Sequence, residues 1–114
     1  MIILSFNYRG FPSTRKKIAL KALFQNYCPD VIMLQETLRA SELVRNSLSK
    51  MMSGWSFVTV DAKGRSRGLA LGYNPRTINL RTTCGGVGFI GMDIFSEKLG
   101  MYLRVINVYG PCQG

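Results

Sequence analysis

Three consecutive segments near the start of this chain constrain its fold more than any other feature. Ile2 to Phe6 is a short β-rich apolar run, and the Gly and Pro of Asn7-Tyr8-Arg9-Gly10-Phe11-Pro12 punctuate a loop after it. Ser13 can cap a helix beginning at the next residue. From about Thr14 to Tyr27, Leu20, Leu23, Phe24 and Tyr27 recur at i, i+3, i+4 and i+7, while Lys16, Lys17 and Lys21 sit off that stripe. The spacing predicts an amphipathic helix with a basic outer face. Cys28-Pro29-Asp30 ends it, because the residue before a proline is pushed out of the helical region, and Val31 to Leu34 is then a near-continuous apolar run of the kind that forms a buried strand. Strand, helix and strand in this order make a βαβ unit with parallel strands and a right-handed crossover. Parallel strands end at the same edge of their sheet, so Asn7, leaving the first, and Gln35-Glu36, leaving the second, are expected as neighbours, on strands about 4.8 Å apart. Open α/β sheets hold their ligands at that edge.

A second helix is predicted from about Ala40 to Met51, with Leu43, Val44, Leu48 and Met51 facing inward. Beyond it the pattern shortens to strand-like runs at Trp55 to Val60, Leu69 to Tyr73, Thr77 to Leu80, Val87 to Phe95 and Met101 to Tyr109. Their separators are Lys63-Gly64-Arg65-Ser66-Arg67-Gly68, Asn74-Pro75, Gly85-Gly86 and Glu97-Lys98-Leu99-Gly100. Antiparallel hairpins are expected, in a mixed α/β layer structure with helices against one sheet face.

At 114 residues the chain is read as one domain. Its 15 Lys and Arg against 6 Asp and Glu give a net charge of +9, which favours a polyanionic partner. It contains no histidine, which excludes Ser-His-Asp and Cys-His catalysis and His-ligated zinc. Chemistry is left to carboxylates, tyrosine, amides or a hard cation. Cys28, Cys84 and Cys112 lie too far apart for a CxxC pair and are read as reduced, mostly buried thiols of an intracellular protein. The apolar start meets Asn7 and Arg9 too early for a signal peptide, and the stretch from Gly85 to Phe95, interrupted by Asp93, is a poor membrane span.

Four strings, ILSFNYRG, PDVIMLQET, SRGLALGYNP and RVINVYGP, run in this order from Ile3 to Pro111. Together they resemble the first half of the endonuclease/exonuclease/phosphatase superfamily, and are most similar to the endonuclease domain of plant LINE-type (non-LTR) retroelements. Two positions depart from that pattern: the family usually has Trp where Phe6 stands and commonly a second glycine where Arg67 stands. The resemblance implies about half of a four-layer α/β sandwich, a Mg2+ (or Mn2+) cofactor, and DNA as substrate. It implies Glu36 as the metal ligand, Asn7 as an active-site amide supporting metal and scissile phosphate, and Tyr109 as a hydrogen-bond donor towards the phosphate. Magnesium takes oxygen ligands and is commonly held by one or two carboxylates plus waters, which a glutamate at a strand end suits. By ordinary residue behaviour alone, Glu36 reads equally as a solvated carboxylate, Asn7 as an Asx-turn residue and Tyr109 as a packed aromatic.

Arg9, Lys63, Arg65 and Arg67 are candidate phosphate contacts, each neutralised phosphate steepening the salt dependence of binding; a merely solvated basic loop is the alternative. Family members continue into a second half with an Asp/Asn pair and a Ser-Asp-His segment that activate the attacking water, segments this chain does not contain. Little nuclease activity is therefore expected from the chain alone, with one apolar sheet face and a strand edge left open to self-association. A non-catalytic basic nucleic-acid-binding module, or a decayed gene fragment without activity, are the other readings. An intracellular, nuclear location is what the retroelement resemblance implies.

Overall fold

The computed structural model describes residues 1–7, 14–37, 41–60 and 68–108, with the side chains of Thr14, Ser41 and Val44 outside the description. Its elements run β1 (Ile3–Asn7), α1 (Thr14–Tyr27), β2 (Val31–Gln35), α2 (Ser41–Met51), β3 (Ser56–Val60), β4 (Leu69–Tyr73), β5 (Ile78–Gly86), β6 (Phe89–Ser96) and β7 (Met101–Val108). They form two sheets, one of four strands in the order β1-β2-β4-β3 and one of three in the order β5-β6-β7. β1 and β2 are parallel, as the βαβ reading requires, and the other pairings are antiparallel.

Strand alternation gives the four-stranded sheet two apolar faces and hence two cores. On one face, Leu4, Phe6, Ile32, Leu34, Ala70 and Phe57 pack with Leu20 and Phe24 of α1 and with Leu48, Met51 and Met52 in and after α2. The rings of Phe24 and Trp55 meet edge-to-face at 4.9 Å. Gly72 is required here, since a Cβ would lie 2.6 Å from the Phe57 ring. On the other face, Val31, Met33, Leu69, Leu71, Tyr73, Val58 and Val60 meet the inward residues of the three-stranded sheet, among them Ile78, Ile90, Met92, Ile94, Leu103 and Val105. Face-to-face sheets with a helical layer outside one of them are three of the layers of a four-layer sandwich.

The outer face of the three-stranded sheet has no helix over it among the described residues. Tyr102 is 66% exposed, Val108 60% and Ile106 49%. The face is held by cross-strand pairs: Arg104 donates to Asp93 at 2.7 Å, Thr82 donates to the same carboxylate, Phe95 and Tyr102 meet at 5.0 Å, and Arg81 lies over the Tyr102 ring. The Arg104 hydrogen bond keeps the Asp93 carboxyl below its ordinary range against the opposing effect of burial, with smaller help from the Thr82 hydrogen bond and the Arg104 charge.

Several expectations are corrected. Tyr27 and Leu43, assigned to inner helix faces, are 55% and 53% exposed, because the sheet beneath α1 and α2 is only four short strands wide and the outlying turns reach past it. Gly85 and Gly86 do not separate strands; they complete β5, paired with Ile90 and Phe89, and the turn falls on Val87 and Gly88, the latter at φ +80°. Cys28 and Cys84 are exposed free thiols rather than buried ones, and Cys112 lies outside the described residues. α1 ends in a left-handed residue, Cys28 (φ +45°), whose N–H donates to Phe24 O at 3.0 Å, a helix stop usually given to glycine. No described helix is long and apolar enough to cross a membrane.

Candidate active site

Register settles which strand ends share one edge of the sandwich. Asn7, the last residue of β1, is paired with Gln35, the last of β2, so Glu36 leaves its strand one residue beyond the level of Asn7. β4 begins at this level, Leu69 opposite both Gln35 and Val60. β7 ends here as well, because Asn107 reaches Leu34 and Gln35 across the gap between the sheets. One rim of the sandwich therefore carries the C-terminal ends of β1, β2, β3 and β7. The sequence expectation that Asn7 and Glu36 stand on adjacent strand ends agrees with this arrangement.

Glu36 has φ +57°. The left-handed region is disfavoured for residues with a Cβ, and such strain persists only where surrounding structure imposes it, often at ligand sites. Here the next residue supplies part of the constraint: Thr37 is 1% exposed and its N–H donates to Gly68 O at 3.3 Å, with Gly68 itself at φ +84°. The glycine retained in SRGLALGYNP thus serves a backbone conformation that closes onto the residue after Glu36.

Among the buried polar residues that the sequence did not single out, two gather several partners. Asn107 is 1% exposed; its Nδ2 donates to Leu34 O and Ala70 O, both at 3.0 Å, and its Oδ1 accepts from Gln35 Nε2 at 2.9 Å. Gln35 Nε2 also donates to Ser5 Oγ on β1 at 3.1 Å. The available signal was position: Leu103, Val105 and Asn107 share one face of β7, and a polar residue ending a buried face needs partners. The second residue, Asp30, lies at the opposite end. It accepts from Ile2 N–H (3.0 Å), Thr77 Oγ1 (2.8 Å) and Lys98 Nζ (2.9 Å), tying the starts of β1 and β2 to the β4–β5 and β6–β7 turns. Burial pushes this carboxyl up, but the hydrogen bonds from Ile2, Lys98 and Thr77 together outweigh it and hold it below its ordinary value of 3.8. Its signal was a carboxylate directly before a strand buried on both faces.

Tyr109, Arg9, Lys63, Arg65 and Arg67 lie outside the described residues. Of the described residues that flank their segments, Asn7, Val60, Gly68 and Val108 stand at the rim. Among the described residues no group of three or more His, Cys, Asp or Glu side chains comes together to hold a metal. Among the described residues, the rim's oxygen donors are the carboxylate of Glu36 and the carboxamides of Asn7, Gln35 and Asn107, hard donors that suit magnesium or manganese as part of a coordination shell.

Solved structures place this architecture. An endonuclease/exonuclease/phosphatase family protein from Bacteroides thetaiotaomicron superposes with a TM-score of 0.75 at 12% identity, over 98% of this chain and 50% of its own. The fold is half that of an endonuclease/exonuclease/phosphatase protein. The AP endonuclease of Leishmania major matches at TM-score 0.65 and 19% identity, over 92% of this chain and 38% of its own. Danio rerio TDP2 complexed with a single-strand DNA product matches at TM-score 0.69 and 15% identity, over 91% and 43%. This chain thus spans about half or less of the length of each. No family model and no curated protein matches the sequence. At these identities the likeness establishes the fold, with its two-sheet sandwich and outer helices.

Proposed function

We propose that this chain is part of a metal-dependent phosphodiesterase acting on DNA, of the retroelement endonuclease type, nearly inactive without its complementary half. The observation that carries the reading is the rim itself: parallel pairing sets Asn7 level with Gln35, and Glu36 follows in a left-handed backbone conformation. Glu36 would hold Mg2+ or Mn2+. Asn7 would orient the metal and the scissile phosphate through its amide, and Tyr109 would donate to a phosphate oxygen. Arg9, Lys63, Arg65 and Arg67 would contact phosphates along the strand. When bound, the cation neutralises charge that develops on the phosphate oxygens during attack by water. The chain itself supplies orientation and hydrogen bonds aimed at that charge; it has no histidine to take the proton from water, and lack of a general base typically costs about 10²- to 10⁴-fold in rate.

DNA as substrate is supported by the net charge of +9 and by the DNA-processing structures that share the fold. The reading carries with it a single truncated domain over residues 1–114, a nuclear location, and self-association through the bare outer face of β5-β6-β7, detectable by light scattering. The test is nicking of supercoiled plasmid with magnesium, by the chain alone and by the chain extended with the complementary half. Near-zero nicking alone, and nicking by the extended chain that Glu36→Gln abolishes, are the expected results. Full activity of the short chain, or indifference of the extended one to Glu36→Gln, overturns the reading. The same charge supports a second one, a basic module that binds nucleic acid through phosphates alone. Such a module would bind with a steep salt slope and without need of magnesium.

A further inference from the structure

We propose that Asn107 is a positioning residue for Glu36, acting through the backbone of β2; the inference rests on the assignment of Glu36 as metal ligand. The inner face of β7 presents Leu103, Val105 and then Asn107, where burial would by default favour a third apolar side chain. A buried carboxamide is destabilising unless its polar atoms are paired. All of its partners belong to the strands beneath the rim. Leu34 and Ala70 are register partners on β2 and β4, so the Asn107 NH2 group straddles one rung of that ladder, using acceptor capacity left over from the ladder bonds. Its oxygen accepts from Gln35, which also donates to Ser5. One chain of hydrogen bonds therefore crosses from β7 through β2 to β1, immediately below Glu36 and Asn7.

Glu36 is thereby fixed from both sides. The two residues before it are held by Asn107, and the residue after it is buried and bonded to Gly68. A non-glycine residue keeps φ +57° only while its flanks are held, because the extended and right-handed regions are favoured for it. Release of the β2 end lets residue 36 relax, and its carboxylate then leaves the direction set for the cation. Groups that orient a metal ligand without touching the metal commonly change metal affinity about 10- to 100-fold when altered.

The experiment uses the 114-residue chain with Mn2+ as probe, followed by NMR, for wild type, Asn107→Leu, Gln35→Met and Glu36→Gln. Gln35→Met cuts the same chain of hydrogen bonds at a partly buried residue and serves where Asn107→Leu does not fold, with amide protection around Asp30 and Thr77 as the control for folding. In the positioning variants the backbone carbon shifts and φ-sensitive couplings of Glu36 are expected to leave left-handed values, and amides 35–37 to exchange faster. Mn2+ should bind about tenfold more weakly. A folded variant with wild-type shifts and exchange at residues 35–37 overturns the inference. If wild type and Glu36→Gln bind Mn2+ alike, it is the metal assignment that fails, while the shifts of Glu36, read without metal, still decide whether Asn107 sets its backbone.

Discussion

The two ends of this sandwich are built on opposite plans. At the lower end a single buried carboxylate, Asp30, gathers a backbone N–H, a hydroxyl and an ammonium from three separate segments, and the turns there bond to one another through Glu97 N–H and Thr77 O. At the rim the strands end on carboxamides, Asn7, Gln35 and Asn107, and then on Glu36 in a disfavoured backbone conformation. One end converts charge into cohesion. The other holds neutral hydrogen bonds, from Asn107 and Gln35, beneath the acid proposed as the metal ligand. The contrast teaches that cohesion through a buried charge and the site proposed for chemistry lie at opposite ends of the same strands.

The largest effect is expected at the cohesive end. Asp30→Ala removes the acceptor shared by Ile2, Thr77 and Lys98 and should cost about 3 kcal/mol, read as a lower urea midpoint with unchanged slope. The same residue sets the acid response. Its folded-state pKa lies below the ordinary 3.8, so it binds its proton more weakly folded than unfolded. The stability it contributes is complete above the unfolded value and is lost as pH falls through the folded one. Urea titrations from about pH 7 down to about pH 2.5 should show this loss below about pH 4, and Asp30→Asn should flatten it; an unchanged profile would place the acid sensitivity elsewhere.

Among the described residues, each end also contains one left-handed residue with a side chain, Cys28 below and Glu36 above. Glycine at either position should stabilise the fold by up to about 1 kcal/mol through relief of backbone strain. The two differ in consequence: Glu36→Gly should abolish Mn2+ binding while raising the melting temperature, whereas Cys28→Gly should raise it and leave Mn2+ binding unchanged. Equal effects on metal binding would erase the distinction drawn between the ends. The smallest change is expected for Arg104→Gln, whose ion pair with Asp93 is solvent-exposed and screened, so its thermal midpoint in about 0.5 M salt should match wild type.

Much of the frame was legible in the sequence because local patterns and tertiary packing agree there. α1 runs from Thr14 to Tyr27 and β4 from Leu69 to Tyr73, as periodicity predicts. The parallel β1–β2 pair follows from the helix between them. Gly85-Gly86 misled because glycine breaks strands only where the strand needs a side chain, and these two lie at a hairpin end beside Phe89. Asp30 and Asn107 were missed for a different reason. Each is polar in a segment that reads as apolar, and their partners lie 28 to 73 positions away along the chain, beyond what spacing can signal. The adjacency of the strand ends carrying Asn7 and Glu36 was legible because it depends on strand direction alone.

The sheets are not stacked in line. β7, the last strand of the smaller sheet, lies across β2 and β4, so β1 projects past it like an eave, its Ile3 43% exposed. Edge strands are where globules fuse into endless ribbons. β7 is an edge strand of its sheet among the described residues, a place where a further strand could add.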